Sequence, residues 1–230
     1  MILLKDNAYK SYALCQMQEA DFLTVKSFLD TQRDKLDKIE FFYPYKDAEL
    51  KAVLEDGTFW GLIDGGKLIA TFAIDTDEEY ARDIANIINS CGGEMLVEKA
   101  YESSGLMVDE DYRGQGIAGF LMKTAVAEAE KKGIDICGVV HTLNYLSMTT
   151  FFSQSFELRG VWRMSDGYDF VYLLKRSGEA TLINKDSIVN KDSIVYASLG
   201  DTQLHRELLS KGYCGITCDK EKIGFVYGKH

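Results

Sequence analysis

The sequence predicts a mixed α/β fold: a central sheet, at least partly parallel, wrapped by helices. Three observations predict it. Phe22, Val25, Phe28 and Leu29 recur at helical spacing, the mark of one buried helix face. Two β-rich runs, "TFWGLI" and "KLIATFAI", flank Asp64-Gly65-Gly66, and that glycine pair supplies the positive φ angles of a tight hairpin. From residue 99 to residue 140 the order is strand, glycine turn, helix, strand. A helix carrying the chain from one strand to the next fits a right-handed crossover between parallel neighbours.

The elements follow in order. Glu19 to Leu36 forms the first long helix, and Pro44, the only proline, marks a turn before a second helix over "DAELKAVLED". After the hairpin, Thr76 and Glu79 match a capping box ahead of a helix in which Ile84, Ile87 and Ile88 share a face and Gly92 ends the run. Lys99 to Val108 reads as a strand, Gly116 to Lys132 as a helix closed by Gly133, and Asp135 to Val140 as a short buried strand. "NYLSMTTFFSQSF" gives another short helix, and "ELRGVWRM" with "YDFVYLLKR" a hairpin across Ser165-Asp166-Gly167. Beyond Arg176 the hexapeptide "NKDSIV" occurs twice in tandem, at 184–189 and 190–195. An even period preserves strand faces, and two copies are too few for a solenoid, so this is a local duplication. The last segment, from Thr202, reads as a helix ending at Gly212 followed by strand-like residues. The expected organisation is one domain over 1–175, carrying a helical insert at 76–98, and a C-terminal α/β extension over 176–230.

Composition excludes several classes. The 230 residues are 46% hydrophobic and 27% charged, ordinary globular values. No stretch approaches the roughly 20 apolar residues of a membrane span, and the N-terminus meets Lys5 after three apolar residues, so it lacks a signal-peptide core. The expectation is a cytoplasmic protein with no membrane partner. The five cysteines are scattered and odd in number, which points to reduced thiols, and "CGITC" lacks metal-ligand spacing. No metal is expected. A net charge of −10 opposes nucleic-acid binding and would sooner attract a cationic partner.

The most informative stretch is "VDEDYRGQGIAGF", Val108 to Phe120, with Gly114, Gly116 and Gly119 leading into a helix. A strand that ends in glycines and enters a helix leaves main-chain N–H groups without intrahelical partners, and the helix dipole favours an anion there. Glycine keeps Cβ atoms out of the anion's way. The bland alternative is a simple tight turn. The three glycines also satisfy the dinucleotide pattern G-x-G-x-x-G. Two departures weigh against a nicotinamide or flavin site: "DEDYR" intervenes between strand and first glycine, and the next strand ends in Val140 and His141 rather than in an acid.

Arg113, Gly116 and Ala118, preceded by "LMV" at Leu106 to Val108, resemble the R/Q-x-x-G-x-G/A signature of the GNAT superfamily of N-acetyltransferases. Early helices, hairpin, strand, turn, following strand and Asn144-x-x-Ser147 fall in that family's order across about residues 15–175. The resemblance implies a GNAT-like fold: a mixed, mostly antiparallel sheet with helices on both faces, whose parallel fourth and fifth strands, here Tyr101–Val108 and Asp135–Val140, splay apart. It implies acetyl-CoA as the acyl donor, its pantetheine on the backbone of Leu106, Met107 and Val108. The diphosphate would rest on the amides of Arg113, Gly114, Gln115, Gly116, Ile117 and Ala118, with Asn144 and Ser147 near the cofactor or acceptor.

Acetyl transfer to an amine needs a donor that polarises the carbonyl and a base that takes the amine's proton. The Val108 N–H is the expected donor. Glu102 is the candidate base, because it lies six residues before Val108 and so on the same face of a regular strand. His141, at the mouth of the next strand, is the second. The family's general acid is commonly a tyrosine four residues after the motif serine; this chain has Phe151 there, which leaves Tyr145 or solvent to reprotonate the thiolate. The resemblance therefore implies an acetyl-CoA-dependent N-acetyltransferase acting by direct attack on the amine of a small molecule or peptide. The rival is a non-catalytic CoA-binding sensor or interaction module. The insert and the tail are expected to shape the acceptor site or an oligomer contact, such as that of a homodimer.

Overall fold

The computed structural model describes residues 2–5, 11–92, 96–178 and 194–228, so the tandem hexapeptide lies outside it except for Ile194 and Val195. The chain divides into two compact units, Met1–Thr76 with Ser103–Ala125, and Asp77–Glu102 with Val126–His230.

The first unit holds β1 (Ile2–Lys5), β2 (Ser11–Gln16), α1 (Phe22–Asp34), α2 (Asp47–Glu55), β3 (Phe59–Asp64) and β4 (Lys67–Ile74). It also contains most of β5 (Tyr101–Val108) and the start of α4 (Ile117–Lys132). Its strands run antiparallel in the order β1-β2-β3-β4-β5. The β3–β4 turn is the expected two-residue hairpin loop: Asp64 pairs with Lys67, and Gly65 and Gly66 hold φ of 54° and 86°. Helical periodicity in α1 and α2 delivers Val25, Leu29, Leu50, Val53 and Leu54 to one cluster with Phe59, Ala73 and Met107 of the sheet. On the opposite sheet face Ser103 reaches Met122 of α4, its hydroxyl 3.9 Å from the sulfur.

The second unit contains α3 (Glu78–Ser90), the first two residues of β5, the end of α4, β6 (Ile136–His141), α5 (Tyr145–Ser153), β7 (Glu157–Arg163) and β8 (Asp169–Lys175). The tail adds β9 (Val195–Ser198), α6 (Thr202–Ser210), β10 (Tyr213–Cys218) and β11 (Lys222–Tyr227). Strand order is β5-β6-β8-β7-β10-β11-β9, and β5–β6 is its parallel pair. The tail extends this sheet, because Gly215 of β10 pairs with Leu158 of β7. Cys137 packs with Ile84, Ala85 and Ile88 of α3, whereas at the next residue, Gly138, an added Cβ would lie 2.3 Å from the Phe151 ring of α5. Consecutive strand residues point to opposite faces, so helices cover both faces of this sheet as well.

One cap differs from expectation. Asp77, not Thr76, caps α3, accepting from the N–H groups of Glu79 (2.9 Å) and Tyr80 (2.8 Å). Thr76 turns its hydroxyl to Asp56 instead. A carboxylate is the stronger acceptor for two N–H donors at the positive end of a helix. Among the described residues no helix is long and apolar enough to cross a membrane.

Candidate active site

In the first unit the site is built on the end of β5. The strand is not regular. Gly105 takes φ +60°, and β5 gains one residue on β4, since Thr71 pairs with Met107 but Ala73 with Ser104. This is a β-bulge with glycine in the left-handed position. Thr71 secures it by donating to the Gly105 carbonyl at 2.7 Å, and Tyr45 bonds the Ser104 hydroxyl.

The bulge corrects the face argument for Glu102. An even spacing would put Glu102 and Val108 on one face, but the extra residue reverses the alternation. Ser104 and Met107 both meet the α1–α2 side although three positions separate them, while Ser103 meets α4. Glu102, one residue before Ser103, therefore shares its face with Ser104, and Val108 lies on the other.

The main chain of Val108 is well placed for its expected role. Asp109 N–H donates to the Ile69 carbonyl at 2.8 Å, and Ala70 is the partner of Val108. Bonded and non-bonded pairs alternate in an antiparallel ladder, so Ala70–Val108 is a non-bonded pair and the Val108 N–H points away from β4. By the same alternation Met107 turns its peptide groups to β4, and its side chain is buried among α1 and α2 residues. Leu106, at the bulge, is half-buried.

Beyond Val108 the chain makes a turn of 3₁₀ helix, Glu110–Tyr112, capped by Asp109. The Asp109 carboxylate, 4% exposed, meets Lys67 at 2.9 Å. Burial acts to raise its pKa, but Lys67 and the Asp111 N–H outweigh burial and hold it below the usual carboxylate range. Buried Gln32 accepts from the Glu110 N–H, and Tyr112 donates to Asp64. Arg113 folds back, its Nε donating to the Val108 carbonyl at 3.1 Å, and its own N–H goes to Glu110 at 3.3 Å. The first of the six expected phosphate amides is thus engaged inside the turn.

The next amides stand differently. Gly114 and Gly116 have φ of 74° and 79°, which L side chains rarely adopt. A Cβ at Gly114, Gly116 or Gly119 would meet nothing within 4 Å. Crowding within the unit does not require these glycines, and the space beside them is open. Arg113, Gly114, Gln115 and Gly116 are exposed, while Ile117 is 6% exposed and anchors the helix. The ladder of α4 starts with Phe120 N–H to Gly116 carbonyl, so the N–H groups of Ile117, Ala118 and Gly119 precede it.

The second unit carries the remaining candidates. Glu102 is half-buried and pairs with Cys137 across the parallel strands, and burial, then the Glu102 charge, raises the Tyr80 phenol. Parallel pairing covers only Tyr101–Ile136 and Glu102–Cys137. His141 is buried: its Nδ1 accepts from the Leu143 N–H at 3.1 Å, and its ring packs against Tyr168 and Phe170 at 5.4 and 5.5 Å. Asn144 caps α5, its side-chain oxygen accepting from the Ser147 N–H at 3.2 Å. Asn144-x-x-Ser147 therefore already works as a helix start. Tyr145 opens that helix, half-buried, with the Cys218 thiol 3.7 Å from its carbonyl. Burial and Asp219 push that thiol up to about 12. Phe151 is 3% exposed and meets Phe156 edge to face at 4.9 Å.

Sequence reasoning missed two contributors. Tyr80 of α3 feels the Glu102 charge, which raises its phenol, a relation no local pattern encodes. The bulge had a signal: an isolated glycine within a strand pattern marks such irregularities.

The fold that carries this strand, bulge and glycine-led helix is shared with solved N-acetyltransferases. A GNAT acetyltransferase from Listeria monocytogenes superposes with a TM-score of 0.58 at 13% identity, covering 76% of this chain and 99% of that one. Drosophila melanogaster polyamine N-acetyltransferase gives 0.56 at 13%, covering 72% and 99%. The NatC complex bound to Gag peptide and CoA gives 0.54 at 15%, covering 72% and 98%. No curated protein matches the sequence. Residues 18–148 match the acetyltransferase (GNAT) family, and the chain belongs to it. β5 and β6 are the family's parallel fourth and fifth strands.

Proposed function

We propose that the protein is an acetyl-CoA-dependent N-acetyltransferase that acylates an amine of a small molecule or a peptide. The observation that carries this reading is the open turn at Gly114–Gly119, following a strand whose Val108 N–H is directed away from its neighbour β4. The amides from Gly114 to Ala118 would hold the diphosphate, since anions bind where helix-start donors are bare. Leu106 and Val108 offer backbone to the pantetheine. Acetyl-CoA supplies the acetyl group as an activated thioester.

The Val108 N–H stabilises charge developing on the carbonyl oxygen, and it can do so from the plane of the sheet, independent of side-chain faces. Glu102 takes a proton from the amine, whose nitrogen lone pair forms the new bond as the carbon–sulfur bond breaks. Tyr145 or water returns a proton to the thiolate. His141, with one ring nitrogen engaged and aromatic rings around it, is better suited to packing than to base chemistry.

A second reading, a CoA-binding module without catalysis, is favoured by Phe151, which offers no proton and is committed to the core. Mixing protein, acetyl-CoA and a panel of amines while following free thiol separates the two. Amine-dependent thiol release is the expected result. CoA binding with no turnover across the panel would select the second reading, and failure to bind CoA would remove both.

A further inference from the structure

The acidic linker from Asp109 to Tyr112 has no part in the mechanism above. Three carboxylates in a row, Asp109, Glu110 and Asp111, stand directly before a turn read as an anion site, where like charge repels the ligand. A plain connector gains nothing from that placement. The contacts of the segment account for it. Asp64 and Lys67 face each other as the pair that closes the β3–β4 hairpin, and both reach across to the 3₁₀ turn. Lys67 meets the buried Asp109 carboxylate at 2.9 Å at the start of the turn, and Asp64 accepts from the Tyr112 hydroxyl at 2.9 Å at its end. The two arms also meet each other, since the Lys67 ammonium lies 5.5 Å from the centroid of the Tyr112 ring. Between them Gln32 accepts from the Glu110 N–H at 3.2 Å, and Lys35 pairs with the Glu110 carboxylate. All of these residues lie in the first unit.

We infer that Asp64 and Lys67 are positioning residues for the cofactor turn: the tip of the β3–β4 hairpin clasps the 3₁₀ turn at both ends and fixes the direction in which the amides from Gly114 to Ala118 face the diphosphate. This rests on reading that turn as the acetyl-CoA site.

Glycine has more backbone freedom to lose on ordering than any other residue. A turn containing Gly114 and Gly116 is therefore ordered only if its ends are. Its far end is buried Ile117, where α4 begins. Its near end is Arg113, whose N–H goes to the Glu110 carbonyl and whose Nε goes to the Val108 carbonyl, so both bonds end on the clasped segment or the strand before it. Gly114, Gln115 and Gly116 span the gap between, and Gln115 donates back to the Asp111 carbonyl at 3.3 Å. Amides held in place beforehand lose little entropy when a ligand arrives. The lysines serve a second purpose, because pairing Asp109 and Glu110 offsets negative charge beside the diphosphate.

The test reads the turn both with and without ligand. Lys67→Met removes one arm at matched length, and Tyr112→Phe releases the other without leaving a buried carboxylate unpaired. In free ¹⁵N-labelled protein the Gly114 and Gly116 amides should show order parameters near the rigid value of about 0.85, falling toward about 0.6 in either variant. In calorimetry each variant should bind CoA about 10-fold more weakly, as when the backbone of about one residue must be ordered on binding. In turnover the KM for acetyl-CoA should rise while kcat at saturation holds. Lys67→Arg keeps the charge and should bind CoA like the wild type. Lys26→Met, which removes a lysine paired with Asp30 and Asp47 in the same unit, should change neither readout. If Lys67→Met does not fold, Tyr112→Phe decides alone. Wild-type CoA affinity in Tyr112→Phe overturns the inference, as does weaker binding with unmoved order parameters, and both leave the cofactor reading intact. If the wild type itself binds no CoA, the cofactor reading falls and takes the positioning role with it.

Discussion

Helices α4 and α5 both begin shortly after the C-terminal end of a strand, and both carry the positive dipole end there. Their first turns are treated in opposite ways. At α5 the chain meets its own need, because Asn144 caps the Ser147 N–H at 3.2 Å. Helices α3 and α6 do the same through Asp77 and Asp201. At α4 the residue before the helix is Gly116, which has no side chain to offer, and the turn around it is exposed. A helix start becomes available to an outside anion only when its own sequence declines to cap it. What distinguishes the two is the omission of a capping side chain, which with glycine at the cap costs α4 only about a few tenths of a kcal/mol.

The largest effect should come from giving α4 the side chain it lacks. Gly116→Val forces a β-branched residue to φ +79° and places carbon atoms in the open space. Loss of one or two hydrogen bonds to a charged group predicts CoA binding weaker by about 100-fold in calorimetry. If affinity is unchanged in folded protein, the contrast with α5 has no functional meaning. The second test is at Phe151, whose ring edge rests on the bare backbone of Gly138. Phe151→Tyr restores the family's usual hydroxyl, but the packing leaves it no room, so a loss of about 1–3 kcal/mol in denaturant unfolding is expected. A gain in turnover without loss of stability would show that α5 takes part in the chemistry. The third test is the converse of the first: Asn144→Ala should cost about 1 kcal/mol of stability. It should leave CoA affinity unchanged, and a drop comparable to that of Gly116→Val would erase the distinction between the two helix starts.

The same contrast marks what could be read from the sequence. The turn at Gly114–Gly119, the β3–β4 hairpin and the helix faces were legible because each depends on a few adjacent residues. The Asn144-x-x-Ser147 pattern was legible as a motif, but its letters do not separate a ligand-binding pair from a helix cap, and the structure gives it the second duty. Glu102 shows a different limit. Its face depends on every residue between it and Val108, so one bulge at Gly105 reversed the inference. Tyr80, whose phenol the Glu102 charge helps to raise, lies 22 positions away, beyond any periodicity. Local chemistry survives a reading from sequence better than relative placement does.

The smallest expected effect is at α6, a self-capped helix like α5, where His205 tests how far the tail belongs to the folded core. His205 is fully buried, its Nε2 2.9 Å from the Ser198 carbonyl, and its Nδ1 has no hydrogen-bond partner among the described residues. Burial lowers its pKa below the ordinary 6.5, with the Ser198 bond acting in the opposite direction. The unfolded chain then binds a proton more readily than the folded one as pH falls below 6.5. Stability contributed by the neutral ring is complete above that pH and is lost progressively as pH drops toward the lowered folded value. Thermal unfolding should therefore shift to lower temperature between pH 7 and pH 5. His205→Gln, which keeps a donor for Ser198 but does not titrate, should flatten that part of the curve. If the slope is the same in both proteins, proton uptake at His205 does not contribute to the stability of the unit that holds α5.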